Sequence, residues 1–372
     1  MSRASSISHR PHRESSTMSS SPSASPKTPA PPPADPVNRR SGAASRLAAA
    51  LARNRESTLV IVLVLVVLGT ALARPGFLNV QNLRDVLLNV AIISLLSAGM
   101  TVVMLMRHID LSIGSVVGLT AYLVGTLYVV FPGMPVVVAL LAGVGMGLCA
   151  GAINGALVTF GRVPSLVATL STLYIVRGAD YGYVHGGQVN ATSLPDAYSK
   201  LATGSVLGVP NLVLIAALVL IVIGFYLRYY RGGREYYAIG SNLEAARLAG
   251  IAVDRRVFIG FLISGAIAGF AGALWLARFG TVDASTAKGI ELQVVAAAVV
   301  GSVAITGGVG TIGGATLGAL LLGVINISLV VLRVSPFWQQ AIQGALIVAA
   351  ITLDTLLARS VAKRMMKKRE HA

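Results

Sequence analysis

The chain has 372 residues, 55% of them hydrophobic and 12% charged, with a formal net charge of +16. A soluble domain carries about 25% charged residues, so this composition excludes one and points to spans that cross a bilayer. The positive charge sits in tails and loops, which excludes a nucleic-acid role, and the alternation of a lipid-facing β-barrel is missing.

Residues 1–50 are Ser/Pro-rich, with SSSPSASPKTPAPPPADP at the centre, and hold too little apolar surface to build a core. They are expected to form a disordered cytoplasmic tail. Residues 51–360 form a transmembrane domain, and 361–372 a basic cytoplasmic tail. The expected fold class is all-α: a polytopic membrane bundle of about ten helices with Gly-rich packing faces. Apolar runs predict spans near 57–73, 86–106, 111–131, 135–159, 165–184, 211–227, 257–279, 291–306, 311–332 and 337–358. The first run ends at Ala71-Leu72-Ala73, a small-residue pattern like that of a signal-peptide cleavage site, but the region before it is far too long, so it reads as an uncleaved span. The spans at 165–184 and 291–306 are weaker, with Arg177, Asp180 and Glu291 at their ends.

An even number of spans puts both termini on one side. With the termini in the cytoplasm, that side carries 23 of the 30 Lys and Arg. Arg74, Arg84, Arg177, Lys200, Arg278, Lys288 and Arg333 fall opposite, a clear positive-inside bias. The stretch 185–210 then faces outward, and the polar island RYYRGGREYYAIGSNLEAARLAGIAVDRR, residues 228–256, faces the cytoplasm.

Glycine spacing sets the packing. Gly143, Gly147, Gly151 and Gly155 line one helix face; Gly265 and Gly269 repeat the pattern, as do Gly310, Gly314 and Gly318. In lipid, small residues let backbones approach where larger side chains would gain little over lipid contact. The single cysteine, Cys149, excludes a disulfide or cysteine metal site and reads as a small buried packing residue.

No catalytic or metal site is expected. The chain lacks a GxxxxGK[ST] loop, an HExxH motif and paired histidines. Gly308, Gly310 and Gly313 match GxGxxG, but without the soluble strand that a dinucleotide site requires. Charged residues are scarce inside the spans, which weighs against a proton- or sodium-coupled carrier.

Within the island, Gly232-Gly233 is expected to break the preceding span. Ser241 or Asn242 then offers an N-cap to a short helix, about 243–249, and Gly250 a terminator. Ala245 and Ala246 on that helix permit close docking.

The segment GGREYYAIGSNLEAARLAGI resembles the cytoplasmic coupling loop of ABC-importer permeases of the ribose/xylose/rhamnose and autoinducer-2 type. MRHIDLSIGSVVGLTAY, INGALVTFGRVPSLVATLSTLYIVRG and KGIELQVVAAAVVGSVAITGGVGTIGGATLGA resemble three further segments of that family, in order, over about residues 57–358. Two departures lie in motif cores: Arg107-His108 and Gly301-Ser302 stand where Gly-Gly is common. The resemblance implies an inner-membrane subunit of an importer for a monosaccharide, or alternatively for autoinducer-2. It implies three partners: cytoplasmic ATPases that bind ATP and Mg, a secreted or periplasmic sugar-binding protein, and a second permease subunit. No cofactor is expected on this chain.

By the same resemblance, Gly233, Arg234, Gly240, Asn242, Glu244, Ala245, Ala246, Arg247 and Gly250 form the ATPase-coupling loop, with Gly240 and Gly250 setting the helix ends. Asp110 and Ser112 lie in a family motif. Asp110 pairs with Arg107 or His108 to fix a turn, or else it lines the solute path. Asn89, Asn154, Thr169, Thr172 and Tyr174 offer uncharged contacts to a polyol along a path, or hydrogen bonds between helices. Glu291 caps or gates the eighth span.

Overall fold

The structure is a computed structural model that describes residues 55–335 and separate positions between 337 and 352. The two predicted tails and half of the tenth span, 337–358, lie outside the described residues.

The helices run α1 (Arg55–Ala73), α2 (Val80–Met104), α3 (Ile113–Val130), α4 (Val136–Thr159), α5 (Ser165–Val184), α6 (Asp196–Thr203), α7 (Asn211–Tyr229), α8 (Arg231–Ser241), α9 (Leu243–Leu248), α10 (Val253–Phe279), α11 (Ile290–Val300) and α12 (Ile312–Val331). Seven of them, α1, α2, α3, α4, α7, α10 and α12, are long and apolar enough to cross a membrane. The all-α polytopic class holds. The fifth predicted span forms a 20-residue helix, α5, of the expected length but lower apolarity, because Arg177 and Asp180 lie inside it.

The eighth predicted span is corrected. α11 stops at Val300 after 11 residues, about 16 Å at 1.5 Å per residue, roughly half of a bilayer core. Gly301 ends it, and Ser302 turns the chain at φ +70°.

α2 lies at the centre of the bundle. Leu95, Ala98, Met100 and Met104 are fully buried, and α7, α10, α11 and α12 all pack around this helix. A helix that is apolar all round belongs in such a position. α1 is peripheral: only one edge, around Val66 and Val67, packs against α12.

The most extensive helix pair is α4 with α10. A Cβ at Gly147 would overlap the carbonyl oxygen of Gly265, and one at Gly269 that of Gly143. Gly151 meets the backbone of Phe261 in the same way, and Gly155 makes room for the Phe258 ring. The two backbones touch along four turns, as expected for glycines spaced by four. The α11–α12 pair repeats this, with Gly314 against Gly301 and Gly318 against Ala297. Gly310 is the exception in its predicted stripe. It precedes α12, at φ +154°, against Val303.

Cys149 is exposed, contrary to expectation. It stands two residues from Gly147, about 200° round the helix, so the glycine stripe takes the buried face and turns Cys149 away.

Between α5 and α7, a strand pair β1 (Ser205–Val206) and β2 (Val209–Pro210) pairs antiparallel, Val206 opposite Val209. Leu207 and Gly208 both have positive φ, as a tight two-residue hairpin turn requires.

Candidate functional site

Three polar assemblies interrupt the apolar bundle. The first is the island. α7 ends at Tyr230, whose extended backbone starts α8. Gly232 and Gly233 therefore do not break the span; they lie inside α8. They serve close approach: a Cβ at Gly233 would overlap the backbone of Tyr226 and Leu227, and one at Gly232 the Tyr226 hydroxyl.

Glu235, buried on α8, accepts from Arg231 Nε at 2.8 Å and from Arg256 Nε on α10. Burial pushes its carboxyl up, but the Arg256 and Arg231 guanidinia outweigh this and hold it below the ordinary carboxylate range. Sequence reasoning missed Glu235. The Arg-x-x-x-Glu spacing of 231 and 235 was the available signal.

The short helix α9 is capped as expected. Asn242 Oδ1 accepts from Ala245 N at 3.0 Å, and Gly250, at φ +77°, ends it. Ala246 packs inward. Arg234 on α8 is exposed, as are Glu244, Ala245 and Arg247 on α9. Leu248 is 91% exposed, an unusual position for a leucine on a polar loop.

Gly240 does not set a helix end. It lies within α8, where a Cβ would overlap Leu105 O and Gly308 N. This contact joins the island to the turn between α2 and α3. Arg107 in that turn donates from Nε to Gly240 O (2.7 Å) and from Nη2 to Ser241 O (3.0 Å), capping the last turn of α8. Gly308 N donates to Leu105 O at 2.9 Å. Arg107 has φ +68° and Ser302 φ +70°. Both departures from a Gly-Gly pattern thus keep a glycine-type backbone. At Arg107, two hydrogen bonds offset a conformational cost of about 1 kcal/mol.

The second assembly begins three residues later. Asp110 is buried and accepts from Ser112 N (3.1 Å) and Ser112 Oγ (2.7 Å) on one oxygen. Its other oxygen accepts from Ser264 Oγ of α10 at 2.9 Å. Asn154 of α4 donates to Ser112 Oγ at 2.8 Å. On the other side of the turn, Ile109 N donates to Ser165 Oγ and Thr169 Oγ1 donates to Ile109 O (3.2 Å), both on α5. One turn therefore ties α3, α4, α5 and α10 together. The expected pairing of Asp110 with Arg107 or His108 is not made; the serines take that place. His108 instead packs its ring against Phe261, centroids 6.0 Å apart, and burial holds its imidazole down at about 4.

The third assembly went unread in the sequence. After α10 the chain doubles back along α3. Val282 bonds Val189, which fills the notch at Gly125, whereas Glu291 lies against Gly114. Those notches are eleven residues apart on α3, about 16 Å along the bundle. Much of this re-entrant stretch is non-helical, and such backbone is stable at membrane depth only when protein pairs its polar groups. Arg177 of α5 does so, donating from Nη1 to Ala284 O (3.0 Å) and Thr286 O (2.9 Å). Asp180 lies 3.7 Å from the same guanidinium. Both oxygens of Asp180, and Oε2 of Glu291, are buried without a hydrogen-bond partner among the described residues. The i, i+3 pair in a weakly apolar span was the available signal for this centre.

The structure thus brings Asp110, Ser112, Asn154 and Thr169 together and places Glu291 in a separate centre. Thr172 is buried on α5; Tyr174, on another face of that helix, is 72% exposed. Asn89 is half-buried on α2 and joins neither group.

Residues 82–351 match a family described as the permease component of branched-chain amino acid transport systems. The chain is 36% identical to the autoinducer 2 import system permease protein LsrC of Enterobacter sp. (strain 638), over 84% of this chain and 90% of that protein. It is 34% identical to the ribose import permease protein RbsC of Escherichia coli (strain K12), over 80% of this chain and 93% of that protein. No solved structure matches.

Proposed function

The chain belongs to the permease-component family of branched-chain amino acid transport systems, and from that premise we infer that it is the membrane subunit of an ATP-driven importer for a monosaccharide or a similar small polyol. It is a multi-pass transport subunit rather than an enzyme. ATP and Mg belong to partner ATPases, and a secreted or periplasmic binding protein supplies the solute. Autoinducer-2 is the alternative cargo, favoured by the identity to LsrC.

One observation carries the mechanism. Arg107 bonds the end of α8, next to the exposed helix α9. Three residues on, Asp110 and its turn are bonded to α3, α4, α5 and α10. Force applied to α9 reaches the bundle interior through short hydrogen bonds and packed backbone. In this scheme the island faces the cytoplasm, with both termini, and the ATPase receives Glu244, Arg247 and Leu248. The exposed face of α5 carries the small residues Ser171, Gly178 and Gly182 beside Tyr174, as close helix–helix contacts in lipid require, and fits a second permease subunit. The re-entrant stretch, with Asp180 and Glu291, then stands beside the solute path.

The test is uptake of labelled sugar into vesicles holding this chain, its ATPase and its binding protein. Uptake requires all three and ATP. Arg107→Ala leaves the complex assembled but lowers uptake about tenfold, the size of a typical coupling energy. On a Cys149→Ser background, Leu248→Cys reacts with an impermeant thiol reagent only from the cytoplasmic side. Uptake on a proton or sodium gradient without the ATPase would overturn the assignment.

A further inference from the structure

Between the end of α7 and the start of α12 lies a groove of about 690 Å³. It is distinct from the two buried polar assemblies. One part is apolar, formed by Ile221, Gly224 and Phe225 of α7 and Ile312 of α12. Ile221 and Phe225 are more than half exposed, and Gly224 leaves a notch in which a Cβ would meet only Ile312, at 3.8 Å.

Toward the island the lining changes. Arg228, at the last turn of α7, and Arg234 of α8 face the groove together with Thr311 and Gly313. Both arginines are exposed, and among the described residues neither has a carboxylate within 4.0 Å. The first-turn amides of α12, a helix of 20 residues, have no partner in its own ladder. Thr311 Oγ1 accepts from Gly314 N and donates to Glu56 at 3.2 Å. Glu56 is thus an opposing charge at the rim, outnumbered by the two guanidinia.

An apolar wall that runs into a basic end at the foot of a membrane helix has one natural complement: an amphiphile with an acyl chain and an anionic head. A soluble anion would use only the arginines. We propose that this groove binds an anionic phospholipid from the leaflet on the island side. Its phosphate lies between Arg228 and Arg234, and an acyl chain runs along Ile221, Gly224 and Phe225. Basic pockets between helices on the cytoplasmic side suit such head groups. The bound lipid bridges α7, α8 and α12 at the root of the island. The site depends on the membrane placement of the chain and not on which solute it imports.

The experiment uses the purified full chain and native mass spectrometry, with phosphatidylglycerol, phosphatidylcholine of identical acyl chains, and inorganic phosphate as probes. The wild type retains phosphatidylglycerol about tenfold over phosphatidylcholine, given the attraction expected from two arginines. Arg228→Gln with Arg234→Gln brings that ratio to about one, and Gly224→Phe lowers retention of both lipids. Equal retention by the wild type, an unchanged preference in the double variant, or displacement of lipid by millimolar phosphate would each overturn the site. A second readout needs no variant: phosphatidylglycerol bearing a photoreactive acyl chain labels positions 221, 225 or 312. Label spread over unrelated helices, or confined to a dimer interface that seals the groove, counts against it.

Discussion

The α4–α10 seam and the α5–re-entrant contact solve the same problem in opposite ways. Along the seam, glycines remove side chains, and backbone lies on backbone with no charge involved. Around α5, a buried arginine holds non-helical carbonyls, and buried carboxylate oxygens accept no hydrogen bond among the described residues. The seam has one arrangement, because any rotation drives a carbonyl into a Cα. The polar contact has unused acceptors and can exchange partners. The difference separates a fixed frame from a region able to rearrange during transport, and it can be tested at each side.

The largest effect is expected on the frame. Gly147→Leu places a side chain on the Gly265 carbonyl, and neither backbone can retreat without parting the helices. Folded protein, measured by size-exclusion recovery, should fall to background. A near-normal yield would mean the seam is softer than its geometry implies.

The polar contact should respond to charge rather than to bulk. Arg177→Met leaves Asp180 buried without its cation and destabilises by about 3 kcal/mol. Adding Asp180→Leu should recover much of that loss in thermal unfolding while leaving uptake impaired, since the carbonyls of Ala284 and Thr286 stay unpaired. Failure of the second change to restore stability would show that the pair is not what couples these residues.

The turn between α2 and α3 lies between the two cases, and its response should be smaller and pH-dependent. Burial against Phe261 holds His108 at about 4, below its ordinary 6.5. The unfolded chain therefore takes up a proton below pH 6.5, whereas the folded chain does so only near 4. Stability falls as pH drops through that window, by roughly 2 kcal/mol for a half-buried ring, and levels off below it. His108→Phe should flatten the change in melting temperature between pH 7 and pH 5. An equal slope in both proteins would remove His108 as its source.

Much of the bundle was legible in the sequence. Run length located seven of the spans among the described residues, because a bilayer imposes one length on every crossing helix. Glycines at intervals of four located the seam, because that interval is one helix face. Asn242 and Gly250 marked the ends of α9, because capping is a local matter. Gly240 misled for the opposite reason: its role is set by Leu105 and Gly308, which are remote in sequence. Asp110 was read as an ion-pair partner because Arg107 and His108 are its neighbours along the chain, yet its hydrogen bonds come from Ser112 and from Ser264 on another helix.

The sequence by itself determined which segments enter the membrane and which glycines line a face, since hydropathy and helical period are properties of a single strand of chain. Only the tertiary structure decided that 291–306 is half a helix following a re-entrant stretch, and that Arg177 and Asp180 are buried. A polar group in a bilayer is stable only beside the partner that satisfies it, and that partner is chosen by packing between segments far apart in the chain.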